Sequence, residues 1–245
     1  GGAAAGRGTE VVTVMEIYIM DVRAFADEAL SEKGLRFLLP ERRAQLGRLR
    51  RETDRWRCMG AGLLLEYGMR QRGCTLFADG GDRTPVTLEN GAHGKPYPAT
   101  GGHFSFNLSH SGHYAAAVFA DISVGIDVEA VRLAKLALAK RFFRQEETVY
   151  LQEICEREGS ARADVAFTRL WTRKESYIKA VGEGIRLPLA DFSVLSDTLA
   201  DSGYRLRTWT LPDGYVLTVC AQSPIEDQVQ RLCARDAQFW HALGI

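Results

Sequence analysis

The chain has 245 residues, 46% of them hydrophobic, and its 31 basic and 31 acidic side chains leave a formal net charge of zero. That balance excludes a strong global pull toward nucleic acid or an anionic membrane, and the apolar content suffices for one large domain or two compact halves. No run of about 20 apolar residues is present, so a membrane-spanning helix is not expected.

The opening residues GGAAAGRG lack the apolar stretch of a signal peptide, and residues 1–10 read as a flexible tail or expression scar. Residues 11–22, rich in Val, Ile and Tyr, read as a first strand. Residues 26–71 are helical in pattern, with an interruption near Pro40. Residues 73–98 are rich in Gly, Pro, Asp and Asn and read as turns with short strands. Phe104, Phe106 and Leu108 alternate with Ser105, Asn107 and Ser109 as a strand, and residues 114–120 follow as its hairpin partner. A boundary between halves is expected at 121–123, dividing the chain into 11–121 and 122–245. In the second half an acidic strand precedes two helical stretches, at 140–157 and 163–181. Strands are expected near Phe192, at 205–209 and at 215–220, then a helix over 227–243. Five cysteines, at 58, 74, 155, 220 and 233, are odd in number and lack CxxC spacing. They read as reduced thiols of a cytoplasmic protein, not as a structural zinc site.

The first motif with chemistry is VGIDVE at 124–129. Ile122, Val124, Ile126 and Val128 alternate with Ser123, Gly125, Asp127 and Glu129, so the apolar set faces a core and the two carboxylates project together from the other face. Adjacent carboxylates repel, and a hard divalent cation removes that penalty. Gly125 is expected to leave space there for a ligand. A solvated acidic strand face is the plainer alternative.

The second motif is FTRLWTRKESYIK at 167–179. At about 100° per residue, Phe167, Leu170, Trp171, Tyr177, Ile178 and Val181 make one apolar stripe, with Lys174 near its middle and Glu175 at its edge. Lys179 lies one turn beyond Glu175. One reading is an i,i+4 ion pair with the Lys174 stem reaching outward. The other makes Glu175 a third acid for a metal and Lys179 the neutraliser of a phosphate.

With both motifs in this order, the chain resembles the 4′-phosphopantetheinyl transferases of the larger, Sfp-like class. The matching pieces are GKP at 94–96, FNLSHS at 106–111, VGIDVE, RFFRQEE at 141–147 and WTRKESYIK at 171–179, within a resemblance spanning about 18–219. The resemblance implies a mixed α+β fold of two similar α/β halves related by a pseudo-twofold axis, with the active site between them. It implies transfer of the phosphopantetheine arm of coenzyme A to a serine of an apo acyl, peptidyl or aryl carrier protein, with release of adenosine 3′,5′-bisphosphate. It also implies Mg²⁺, leaving open whether Mn²⁺ replaces it, and a monomer.

Residue by residue, Asp127, Glu129 and Glu175 resemble the Mg²⁺ ligands, and Lys179 the lysine that steadies the leaving group. Asp127, Glu175 and Lys179 are the catalytic set, with Glu175 assisting deprotonation of the attacking serine. Ser109 and His110 resemble the pair at the nucleotide end, with His110 near the 3′-phosphate. Lys95, Pro96 and Lys174 complete the expected coenzyme A contacts. Seven arginines within 42–57 read first as a solvated helix face, and secondly as a source of one or two coenzyme A phosphate contacts or of steering for an acidic carrier protein. RFFRQEE is read as core packing, with a carrier-docking role as the alternative. A Ser109–His110 hydrolase dyad is disfavoured, because strand neighbours point to opposite faces. The rival readings are another metal-dependent pyrophosphate-cleaving enzyme, or a non-catalytic module that binds coenzyme A or a carrier protein.

Overall fold

The β-branched and aromatic run EIYIMD makes β1 (Glu16–Asp21) and sends its side chains alternately to two cores. The computed structural model describes residues 13–78, 85–90, 96–98, 104–134, 136–182 and 187–244. After a 3₁₀ turn (Val22–Ala26), the Asp27 carboxylate caps α1 (Glu28–Leu35) by accepting from Ala29 N and Leu30 N. Pro40 does not merely interrupt the helical region: it opens α2 (Pro40–Arg48), the position where its missing N–H has no intrahelical partner. The long α3 (Glu52–Gln71) follows, then the short pair β2 (Leu88–Asn90) and β3 (Pro96–Pro98). The hairpin β4 (Ser105–Ser111) and β5 (Tyr114–Ala120) leads into β6 (Val124–Ala130).

Helices α4 (Leu136–Phe142), α5 (Gln145–Glu158) and α6 (Ser160–Val181) come next. Gly182, with φ 81°, ends α6 in the left-handed conformation and donates its N–H to Ile178 O. The chain continues through β7 (Thr198–Leu199), β8 (Tyr204–Leu211), β9 (Tyr215–Ala221), β10 (Gln230–Leu232) and α7 (Ala237–Ala242).

Among the described residues there are two four-stranded sheets, ordered β10-β1-β5-β4 and β6-β9-β8-β7, besides the β2-β3 pair. The same connectivity occurs twice: β1, α3, β4, β5 in one half and β6, α6, β8, β9 in the other, each with the last strand central. The layers run helix, sheet, sheet, helix. Tyr18, Met20, Ala117 and Phe119 pack with Leu63, Leu64 and Met69 of α3, while Leu206 and Cys220 pack with Phe167 and Leu170 of α6. Between the sheets, Ile17, Ile19 and Val118 meet Val124, Ile126, Val128, Leu217 and Val219. These alternating strands bury both faces, so they dominate the apolar contribution to stability.

Three local expectations are corrected. The stretch expected as one helix at 140–157 is two, α4 and α5, broken where Glu147 Oε2 accepts Arg144 N at 2.9 Å. No strand forms at Phe192; its carbonyl is taken by a side chain of α6 instead of a ladder. The last stretch is not one helix over 227–243: β10 pairs in parallel with β1, and only then does the short α7 form. The open edge of β1 decides this, since an edge strand left bare exposes unpaired N–H and C=O groups. Phe239, Trp240 and Leu243 then pack against the first half, so the chain's end returns to the core where it began.

Candidate active site

Strand β6 brings the acids to one face as its alternation requires: Val124, Ile126 and Val128 enter the core between the sheets, and Asp127 and Glu129 lie on the α6 side. Gly125 lies on that side too, but it does not make room for a ligand. A Cβ there would stand 1.9 Å from Ser176 O and 2.6 Å from Ala180 N. The missing side chain is what lets the backbone of α6 sit against β6, and this close approach carries Lys179 to the acids.

Asp127 is only 5% exposed. Its Oδ1 accepts from Lys179 Nζ at 2.7 Å and from Ser109 Oγ at 2.9 Å. Its Oδ2 is buried with no hydrogen-bond partner among the described residues. Burial pushes the carboxyl up to about 6, helped by the charge of Glu129 and opposed by Lys179 and Ser109. Lys179 Nζ also donates to Ile126 O at 3.1 Å, and lies 3.4 Å from Ser109 Oγ. Lys179 therefore crosses to Asp127; among the described residues it forms no ion pair with Glu175, one turn earlier. Glu129 Oε2 accepts from Ser111 Oγ at 2.7 Å and from Arg132 Nη2 at 3.1 Å.

Glu175 sits half-buried on α6. Among the described residues no three acidic, histidine or cysteine side chains are gathered into a group able to hold a metal, so the expected trio of Asp127, Glu129 and Glu175 is not assembled here. A divalent cation nonetheless fits the donor chemistry at Asp127, whose buried Oδ2 is a carboxylate oxygen without a donor.

His110 and Ser109 point to opposite faces of β4, as strand neighbours must. Ser109 is buried against β6, and His110 is exposed. The imidazole is held below its ordinary range, first by desolvation and then by the positive charges of Arg57, Arg42 and Lys179. Arg57 and Arg42 are two of the seven arginines within 42–57, and their charges act on His110. Arg57 donates to Gly112 O at 3.1 Å and pairs with Asp54, and Arg42 donates to Cys58 O at 3.4 Å. Arg43 and Arg55 are turned to carbonyls of their own neighbourhood, Leu38 O and Leu49 O, each at 2.9 Å. Positive charge from α2, α3 and α6 thus acts on the His110 imidazole.

Beyond Glu129 lies a cavity of about 200 Å³, lined by Leu133, Leu138, Phe167, Thr168 and Trp171 together with Glu129 itself. Its walls are mainly apolar.

The structure places Lys174 elsewhere than expected. Both Lys174 and Glu147 are 0% exposed, and their ion pair is 2.8 Å long. Lys174 Nζ also donates to Leu189 O and Phe192 O, each at 2.7 Å, so its three protons are all used. Burial draws the ammonium below the ordinary lysine range, against the opposing charge of Glu147. Lys174 is thus a buried tie between α6, α5 and the 187–194 segment, and not a contact open to coenzyme A. Lys95 lies outside the described residues, and Pro96 stands at the start of β3.

Sequence reasoning passed over Asn107 and Ser111, which flank Ser109 at two-residue spacing and also bond to β6. The signal was present: three polar residues at alternate positions of one strand.

The layered α/β fold thus brings a buried carboxylate and a lysine together on the α6 side of β6. Residues 123–224 match the 4′-phosphopantetheinyl transferase superfamily. The chain is 30% identical over 219 residues to the 4′-phosphopantetheinyl transferase Sfp of Bacillus subtilis strain 168, covering 86% of this chain and 93% of that protein. A second 4′-phosphopantetheinyl transferase of Bacillus subtilis is 31% identical over 196 residues, 75% of this chain and 82% of its own. The L-aminoadipate-semialdehyde dehydrogenase-phosphopantetheinyl transferase of Xenopus laevis is 35% identical over 116 residues, 41% of this chain and 36% of its own. The chain belongs to the 4′-phosphopantetheinyl transferase superfamily, in its Sfp-like class, and it is a transferase enzyme.

Proposed function

We propose that this enzyme transfers the 4′-phosphopantetheine arm of coenzyme A to a serine hydroxyl of an apo acyl or peptidyl carrier protein, releasing adenosine 3′,5′-bisphosphate. The observation that carries this reading is Asp127: a buried carboxylate with one oxygen on Lys179 and the other without a donor. Such an arrangement is costly in a resting protein and suits a site completed by substrate and cation.

In this reading His110, Arg42 and Arg57 take the 3′-phosphate and nucleotide end, and the pyrophosphate lies along Lys179. The pantetheine arm runs past Glu129 toward the apolar cavity. The serine oxygen forms a bond to the β-phosphorus as the pyrophosphate bridge to the nucleotide breaks. Glu175 accepts the serine proton, and Lys179 stabilises the charge that develops on the leaving oxygens. Lys179 is held by Asp127 and Ile126 O, so its charge is positioned before the reaction begins. Asp127 and Glu129, with Glu175 from α6, would hold Mg²⁺ or Mn²⁺, which when bound supplies Lewis-acid neutralisation of the pyrophosphate oxygens.

Five free cysteines suit a reducing compartment, and we place the enzyme in the cytoplasm as a monomer. No helix among the described residues is long and apolar enough to cross a membrane.

Intact mass of an apo carrier protein after incubation with the enzyme, coenzyme A and Mg²⁺ tests the reading. A gain of one phosphopantetheine, lost with chelator and with Lys179→Ala, is expected; no gain with any carrier class, despite coenzyme A binding, would overturn it. The phosphate assignment has its own check. Arg57→Ala is expected to raise KM for coenzyme A by about 10-fold or more, the scale of one lost hydrogen bond to a charged group. With 3′-dephospho-coenzyme A, the same substitution should change KM by less than about 2-fold, because the group it serves is gone. An equal penalty on both substrates would remove Arg57 from the 3′-phosphate.

A further inference from the structure

Strands β4 and β6 are the facing edges of the two sheets, yet their backbones do not form a ladder with each other. Side chains of β4 take the place of a paired strand. Ile126 N donates to Asn107 Oδ1 at 3.1 Å, Val128 N to Ser109 Oγ at 3.2 Å and Ala130 N to Ser111 Oγ at 3.4 Å, each across the same separation of 19 residues. The two strands therefore run in the same direction in fixed register. Buried N–H groups left without acceptors would be costly, and these three rungs satisfy them.

The two serine rungs share a second feature. A hydroxyl has one proton to donate and lone pairs to accept with. Ser109 accepts from Val128 N and gives its proton to Asp127 Oδ1. Ser111 accepts from Ala130 N and gives its proton to Glu129 Oε2, at 2.7 Å. Each serine thus fixes the carboxylate of one β6 residue by anchoring to the backbone of the next. Ser111 is 5% exposed, so its bond to Glu129 is shielded from water. The competing contact, from Arg132, comes from a side chain 67% exposed and holds the carboxylate only weakly.

We infer that Ser111 is a positioning residue for Glu129: its hydroxyl sets the orientation of that carboxylate toward the cation and substrate. The inference rests on the proposed role of Glu129 as a metal-holding group. Buried hydroxyls that orient a ligating carboxylate commonly change metal affinity by about 10-fold or more when removed.

The test uses the full chain and Mn²⁺ as the probe, with binding read by electron paramagnetic resonance in the presence of coenzyme A and unfolding temperature measured alongside. Ser111→Ala is expected to weaken Mn²⁺ by about 10-fold and to raise the Mg²⁺ concentration needed for half-maximal transfer, with kcat at saturating Mg²⁺ close to that of the native enzyme. Ser111→Thr, which keeps the hydroxyl, should restore Mn²⁺ affinity to within about 2-fold. Should the alanine variant fail to fold, Ser111→Thr and Ser111→Val, matched in size and differing in the hydroxyl, carry the same comparison. Unchanged Mn²⁺ affinity in Ser111→Ala, beside a native enzyme whose binding is abolished by Asp127→Asn, would overturn the inference. If Asp127→Asn binds Mn²⁺ as well as the native enzyme does, the metal assignment itself fails, which is a separate result.

Discussion

Asp127→Asn is expected to abolish transfer and, in chelated protein at pH 8, to make the fold more stable. Burial raises the Asp127 carboxyl from 3.8 to about 6 even with Lys179 and Ser109 bonded to it. The folded protein therefore binds a proton at Asp127 more readily than the unfolded chain does. The favourable state of this group is present below about pH 4 and is lost as the pH rises through about 6. At pH 8 the charged group opposes folding by roughly 3 kcal/mol at most, the equivalent of that rise in pKa. Asparagine resembles the protonated acid in shape and charge, so it removes the penalty while leaving an oxygen for Lys179 and Ser109. The gain should be near its maximum at pH 8, smaller at pH 5 and absent below about pH 3. Urea unfolding of both proteins across that range measures it. An asparagine variant less stable than the native protein at pH 8 would contradict the burial argument. Under the proposed mechanism, a carboxylate kept charged where it is poorly solvated exchanges stability for activity.

The second large effect lies on α6, at the residue just before Glu175. Lys174→Met should destabilise the fold by about 3–5 kcal/mol, because it leaves the Glu147 carboxylate buried without its cation. Two backbone donors remain on that carboxylate, Val194 N at 2.8 Å and Arg144 N at 2.9 Å, and they keep it from being stranded entirely. Replacing both partners, as Lys174→Met with Glu147→Gln, should cost less than the sum of the single changes, since the uncompensated charge is gone. Denaturant unfolding of the two singles and the double gives the coupling directly. The competing expectation, that Lys174 binds coenzyme A, predicts the reverse: unchanged unfolding with a raised KM. Because Glu175 and Lys179 ride on the same helix, loosening this tie should also lower activity, but only in step with lost folding.

The alternation of 124–129 and the apolar stripe of 167–181 were both legible because they are periodic, and period is a local property of the chain. They were enough to put Asp127 and Glu129 on one strand face, to separate Ser109 from His110, and to place Lys179 on the same helix as Glu175. What the same letters left open was the partner of each polar group. A lysine in an apolar stripe can reach outward or be buried, and the choice for Lys174 depends on Glu147 and on two carbonyls near residue 190. A glycine in a strand can admit a ligand or another backbone, and Gly125 admits α6. Neither outcome is encoded within a helical or strand period.

By itself, the sequence determined the periodic elements that carry Asp127 and Lys179 and the family resemblance, and it singled out Asp127, Glu129, Glu175 and Lys179 as candidates. Only the tertiary structure decided that the charges of Arg42 and Arg57 act on His110, and that β10 closes the edge of β1. It alone also decided that Asn107, Ser109 and Ser111 stitch β4 to β6. The physical reason is common to all three. Each depends on which edges and charges meet across long stretches of chain, and such meetings are set by how the two sheets pack on their shared core, not by the spacing of residues along one strand or helix.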